Sequence, residues 1–178
     1  SQSDVYYWIT AAEVAFLKAE GALYGWNMGG DAEILYTEGI SLSFEQHGAS
    51  GAATYAENET DTPADYNDPG NMYHANAVSD ITIKWEKNDT ERNLERIITQ
   101  KWIAMFPLGQ EAWTEYRRTG YPKLFTLPVS TNYSTLTTVA NRIPFNPDEY
   151  TNNQENVEAA VQALGGKDDY SVKLYWAK

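Results

Sequence analysis

Bond-breaking chemistry needs a nucleophile, a base and a group that orients the base. The chain has two histidines, His47 and His74, and no Gly-x-Ser-x-Gly turn to present a serine. It has no cysteine at all, which removes thiol catalysis, disulfide frameworks and thiolate zinc sites together. Two isolated histidines do not close a tetrahedral zinc site, so both are read as solvated loop or helix-end residues. Gly165-Gly166-Lys167-Asp168 lacks the earlier glycine and the following hydroxyl of a phosphate loop, and reads as a helix cap with a turn. Asp65-x-Asn67-x-Pro69-Gly70 puts a glycine where a calcium loop turns, but Pro69 replaces a ligand and Asn76 stands where a bidentate Glu belongs. It is read as a polar turn. Glu13, Glu20, Glu111 and Glu115 fall on predicted helices, where carboxylates are usually solvated or salt-bridged. No catalytic, metal or cofactor constellation is left.

Aromatic residues are the remaining chemical signal. Sugars present apolar C–H faces that stack on Trp and Tyr rings, while Asn, Asp and Arg meet their hydroxyls. Tyr55, Tyr66 and Tyr73 lie in a polar stretch with Asn67, Asp68 and Asn71 between them, and Trp85 follows closely. These four are the candidate ligand contacts. Loop tyrosines serve many kinds of interface, so the signal does not single out carbohydrate. Trp102, Trp113 and Trp176 sit in apolar phase and are expected in the core.

The elements that must position these residues are mostly helical. Thr10-Ala11-Ala12-Glu13 has capping-box spacing. Val14, Leu17 and Gly21 form one row, with the small residues Ala15, Ala19 and Ala22 beside it, where another helix can approach. A glycine-rich loop at 25–30 and the cap Asp31 start a second helix, which carries Leu35, Gly39 and Leu42 next to Tyr36, Ile40 and Phe44 and stops at Gly48. The expected unit is one tetratricopeptide-sized hairpin over 10–48. Residues 49–78 read as a long variable loop, and the alternation through Ile81-Thr82-Ile83-Lys84-Trp85-Glu86 predicts a strand over 80–86. Helices follow over 90–119. The first is capped by Asp89 or Thr90, packs Leu94, Ile97, Ile98, Trp102 and Met105, and ends at Pro107. The second runs from Gly109 to Thr119 with Trp113 and Tyr116 inward. An irregular tail spans 120–178, with a short helix near 157–164 and a possible strand at 172–176, which could pair with the earlier one. Asn58, Asn88 and Asn132 begin glycosylation sequons.

Bulk properties set the outer limits. Twenty-five acidic residues against 13 Lys and Arg give a net charge of −12 over 178 residues, which disfavours phosphate backbones and hence nucleic acid. With 42% hydrophobic and 13% aromatic residues, an apolar core is expected rather than disorder. No window resembles a signal peptide or a membrane span. The apolar run Val5-Tyr6-Tyr7-Trp8-Ile9 starts almost at once, so the chain reads as a carboxy-terminal fragment.

Several segments together are more specific. Ala12-Glu13-Val14-Ala15-Phe16-Leu17-Lys18-Ala19-Glu20-Gly21, the loop Gly25-Trp26-Asn27-Met28-Gly29-Gly30 and Gly39-Ile40-Ser41-Leu42-Ser43-Phe44-Glu45-Gln46 resemble the SusD/RagB family. So do the stretch from Leu94 to Ala104, Glu111 with Trp113, Arg117-Arg118-Thr119-Gly120-Tyr121-Pro122, and Arg142-Ile143-Pro144-Phe145. The resemblance implies a mostly α fold of tetratricopeptide-like hairpins with long irregular loops and one or two short strands, here a fragment of a larger SusD-like fold. It also implies a lipoprotein on the outer face of the outer membrane of Bacteroidetes, anchored through a cysteine absent from this fragment. Such proteins cap a SusC-type TonB-dependent transporter and capture glycans, or peptides in RagB-like members, without catalysis or cofactor. The partners implied are a glycan, that transporter and the amino-terminal remainder of the same protein.

The matched residues Trp26, Trp102, Glu111, Trp113, Arg117, Arg118, Gly120, Pro122, Arg142 and Pro144 are expected to be structural. One of Arg117 and Arg118 lies over the Trp113 indole or bridges to Glu111 or Glu115. Two other readings stand beside glycan capture: a helical adaptor that docks a protein, and a glycoside hydrolase with an unrecognised carboxylate pair, which would release reducing sugar.

Overall fold

The structure, a computed structural model, describes residues 7–126 and 139–177. The sequon at Asn132 and the residues Val5 and Tyr6 lie outside that range. Helix α1 (Ala11–Leu23) starts at Thr10, whose Oγ1 accepts from the Glu13 N–H at 3.1 Å. The reciprocal half of the expected capping box does not form. The Glu13 carboxylate turns inward instead, 4.0 Å from Lys101 Nζ. Asp31 caps α2 (Ala32–Gln46) by accepting from Glu33 N at 2.9 Å, and Gly48 follows the helix with φ +65°.

The two helices form the expected hairpin because small residues let them close. Ala12, Ala15, Phe16 and Ala19 are buried against Leu35, Tyr36 and Ile40. Gly39 faces the Phe16 ring so closely that a Cβ there would lie 2.7 Å from it. Val14 and Leu17 are the exposed side of α1. Helix α4 (Thr90–Ala104), capped by Asp89, packs across the pair through Leu94, Ile97 and Ile98.

At 100° per residue, the stripe through Leu94, Ile97, Ile98 and Met105 passes over Lys101 and leaves Trp102 about 80° to one side. Trp102 is therefore 38% exposed, contrary to the core placement expected from its spacing, while Lys101 is 2% exposed. The helix stops at Ala104, before Pro107. Helix α5 (Gly109–Thr119) ends at Gly120, φ +78°. Its buried side chains are Glu115 and Thr119, with Trp113 and Tyr116 only half-buried.

The strand expected over 80–86 is absent. Its alternation is real, since Ile81 is buried and Ile83 and Trp85 pack on the core. Side chains, however, take its carbonyls: Arg96 Nε donates to Thr82 O at 2.9 Å, Tyr36 Oη to Ile83 O at 2.7 Å and Asn93 Nδ2 to Glu86 O at 2.5 Å. A segment anchored this way has no ladder to form. Residues 172–176 form no strand either and do not pair with 81–85.

The only sheet among the described residues lies inside the stretch expected to be loop. There β1 (Tyr66–Asn67) pairs antiparallel with β2 (His74–Ala75), with Tyr66 opposite Ala75 and Asn67 opposite His74. A short helix, α3 (Ala52–Ala56), opens the same stretch. In the tail, α6 (Pro147–Asn152) begins at the Asn146 cap with proline in its first turn, and α7 (Gln154–Ala163) ends ahead of Gly165 and Gly166, both left-handed. No described helix is long and apolar enough to cross a membrane.

Candidate functional site

The β1–β2 hairpin is held by its own polar residues. Asp65 Oδ1 accepts from Ala77 N at 2.7 Å, Asp68 Oδ2 from Met72 N at 3.1 Å, and Asn67 Oδ1 meets His74 Nδ1 at 3.0 Å. The side chains that gave this stretch its likeness to a calcium loop are thus engaged in closing the turn. No group of three or more metal-ligating side chains occurs among the described residues.

The closed hairpin sets Tyr66 and Tyr73 side by side, with ring centroids 6.0 Å apart, and Phe125 stands 5.9 Å from Tyr66. The Tyr73 hydroxyl donates to Thr126 O, which fastens the hairpin to the segment after α5. Tyr66 is 40% exposed and neighbouring Met72 is 90% exposed. The result is an exposed aromatic platform of rings tilted by 44° and 42° to one another, each of which offers a face for stacking of a small apolar surface.

The other two candidate contacts lie elsewhere. Trp85 packs on Tyr36 at 5.4 Å, and Tyr55 on Phe44 at 5.3 Å, both against the helical core. Tyr55 still reaches solvent on one side, where it lines a cleft with Gln100 of α4. The four aromatics therefore divide between a platform, a cleft wall and the core. Phe125 and Gln100 stand beside them without having been singled out in the sequence. Phe125 lies in the irregular traverse after Pro122, and Gln100 in a helix read only for its apolar residues, so neither carried a positional signal.

Several of the matched family residues, Trp113, Arg117, Arg118 and Arg142 among them, make contacts that tie elements together. Arg118 makes a two-pronged pair with Glu20 at 2.6 and 2.7 Å and a third bond to Glu115 Oε2 at 2.6 Å. Lys101 Nζ bonds Glu115 Oε1 at 2.7 Å. This network ties α1, α4 and α5 together. Burial opposes ionisation of Glu115, but the two cations outweigh it and hold its carboxyl below the usual value. Glu111, by contrast, is exposed.

Arg117 lies over the Trp113 ring at 3.7 Å and near the Trp176 ring at 5.0 Å, a cation sandwiched by aromatic faces. Trp176 is 37% exposed rather than core, with its ring against Arg117. Arg142 is buried, pairs with Asp168 and lies 4.8 Å from the Phe145 ring. Asp168 also accepts from Tyr150 Oη at 2.7 Å and from Phe145 N at 3.1 Å; although burial works against its charge, these partners keep its carboxyl below the usual range. Pro122 is buried beside Tyr121, whose hydroxyl donates to Glu91 at 2.7 Å. Pro144 is half-buried and Trp26 is 67% exposed.

The chain thus joins a helical hairpin scaffold, arginine–indole and arginine–carboxylate locks at the sites of matched motifs, and an exposed group of aromatic rings. The SusD-like family model, described as SusD and RagB outer membrane lipoprotein, matches residues 1–177. The chain belongs to this family. It superposes on a SusD homologue from Bacteroides thetaiotaomicron VPI-5482 with TM-score 0.88 at 45% identity, covering 98% of this chain and 39% of that one. A SusD homologue from Bacteroides uniformis ATCC 8492 gives TM-score 0.89 at 47% identity, with 100% and 38% covered. A chitin-binding SusD homologue from Flavobacterium johnsoniae gives TM-score 0.83 at 48% identity, with 96% and 36% covered. The chain thus spans well under half the length of these relatives. None of the curated proteins matches it.

Proposed function

We propose that this chain is the carboxy-terminal part of a cell-surface protein that captures oligosaccharides without catalysis and passes them to a SusC-type TonB-dependent transporter. The observation that carries the reading is family membership together with 48% identity to a homologue described as chitin-binding. The share of each relative that the chain spans supports its being one portion of a longer protein. In this reading an amino-terminal remainder completes the fold and bears the lipidated cysteine that holds the protein on the outer face of the outer membrane. The Tyr66–Tyr73–Phe125 platform is the glycan contact in this chain, since sugar C–H faces stack on such rings without any charge requirement.

The test is affinity electrophoresis of the full-length protein through gels that contain different polysaccharides. Retardation by one polymer, without release of reducing sugar, is the expected result. Free migration through all of them, with retention on immobilised peptides, gives the function to the RagB-like peptide-binding alternative. Release of reducing sugar gives it to a hydrolase.

A further inference from the structure

A cleft lies apart from the Tyr66–Tyr73–Phe125 rings, lined by both apolar and polar side chains. Between α3, the 61–63 segment, the 81–83 segment and α4 lies an open cleft of about 310 Å³. That is the lower end of the range for ligand sites, room for about one or two sugar rings. Ile81 and Ile83 form an apolar wall, and Tyr55, Gln100, Thr99 and Asp61 bring hydroxyl, amide and carboxylate groups to it. Apolar faces beside a few polar groups of fixed direction are what a pyranose ring presents to a protein and what this cleft presents in return.

The polar groups are held in place before any ligand arrives. Tyr55 is braced by Phe44, and Gln100 projects from the middle of α4. The wall is fixed by Tyr36 Oη on Ile83 O at 2.7 Å and by Lys84 N on Asn58 O at 2.9 Å. Gln100 Nε2 donates to Tyr55 Oη at 3.0 Å, but the return contact from the tyrosine hydroxyl to Gln100 Oε1 is long, at 3.4 Å. The phenolic proton and the amide oxygen are therefore poorly matched to each other. They point to a ligand that both donates and accepts, as a sugar hydroxyl does.

Charge narrows the class further. Among the lining residues there is one carboxylate, Asp61, and no Lys, Arg or His. The nearby Lys84 is spanned by Glu57 at 3.4 Å and Glu59 at 3.2 Å. A uronate or sulfated sugar would bring an anion beside Asp61 with no cation to meet it.

We propose that this cleft is a second glycan subsite, which takes neutral sugar rings through the Tyr55–Gln100 pair and rejects anionic ones. The proposal rests on the glycan-capture reading above. It is tested on the full-length protein by titration calorimetry with two probes, N,N′-diacetylchitobiose and a digalacturonate. Tyr55→Phe keeps the ring and its packing on Phe44 but removes the hydroxyl, and Gln100→Met keeps the side-chain length but removes the amide. Thermal melts confirm that each variant folds; Thr99→Val is the reserve if Gln100→Met does not.

The expected result is that chitobiose binds, the variants weaken it by about three- to tenfold, and digalacturonate does not bind. Chitobiose binding unchanged in Tyr55→Phe and its companion variant overturns the cleft assignment. Digalacturonate binding as tightly as chitobiose overturns the charge rule. Failure of the wild-type protein to be retained by any polysaccharide is the different outcome that removes glycan capture itself, and the cleft with it.

Discussion

The α1–α4–α5 junction and the β1–β2 hairpin are both rich in charged and polar residues, but they use them in opposite ways. At the junction, Lys101 and Glu115 are almost fully buried and complete one another. In the hairpin, Asp65, Asp68 and Asn67 stay at the surface and satisfy backbone N–H groups or each other's neighbours. A buried charge without its partner is costly, whereas an exposed one is solvated by water. The junction is consequently intolerant of change and the hairpin tolerant, which is the division expected between a scaffold and a recognition surface.

The comparison is broken most severely by Lys101→Met. That change leaves Glu115 and Glu13 buried with one cation fewer, and it is expected to destabilise the full-length protein by about 3–5 kcal/mol in urea unfolding. A loss under about 1 kcal/mol would mean that the carboxylates find water or protonate without consequence.

A second effect comes from acid. Glu115 titrates below its ordinary value of 4.5 in the fold. Its contribution is therefore fully present above that value and is lost as pH falls through the lower, folded one. The melting temperature is expected to drop over that acid window, and to drop less in Lys101→Met, where Arg118 alone is left to hold the carboxyl down. Parallel pH profiles for the two proteins would sink this account.

In the hairpin the effects shrink. Tyr73→Ala removes the hydroxyl that donates to Thr126 O and is expected to cost about 1 kcal/mol, read as a lower melting temperature. Tyr66→Ala removes an exposed ring with no hydroxyl partner of that kind and is expected to shift stability by less than about 0.5 kcal/mol. It should nevertheless reduce retention in polysaccharide gels. Undiminished retention would take Tyr66 out of the binding surface and leave the hairpin as a clamp.

Much of the scaffold was legible because its signals are local. Thr10, Asp31, Asp89, Gly48 and Gly120 mark helix ends through their own hydrogen bonds or φ angles. The alternation at 81–86 was a true record of burial and a false one of strand, since a period of two shows which side chains point inward but not what takes the carbonyls. Arg96, Tyr36 and Asn93 decided that from a distance in sequence. The hairpin at 66–75 escaped notice because its two-residue strands are too short to show any period. Of the four aromatics singled out in the sequence, Tyr66 and Tyr73 stand together, Tyr55 lines a cleft beside Phe44, and Trp85 packs on the core at Tyr36.

By itself the sequence determined the helical class, the caps and most of the apolar stripes, because each depends on residues within a few positions of one another, and the family, because its motifs are short runs that can be read together without the fold. Only the tertiary structure decided that Lys101 would be buried and Trp102 exposed, that Arg118 would reach Glu20 across 98 residues, and which tyrosines would share a surface. Those outcomes turn on which element packs against which, and the desolvation of a charge or the stacking of a ring is settled only once the neighbour has arrived.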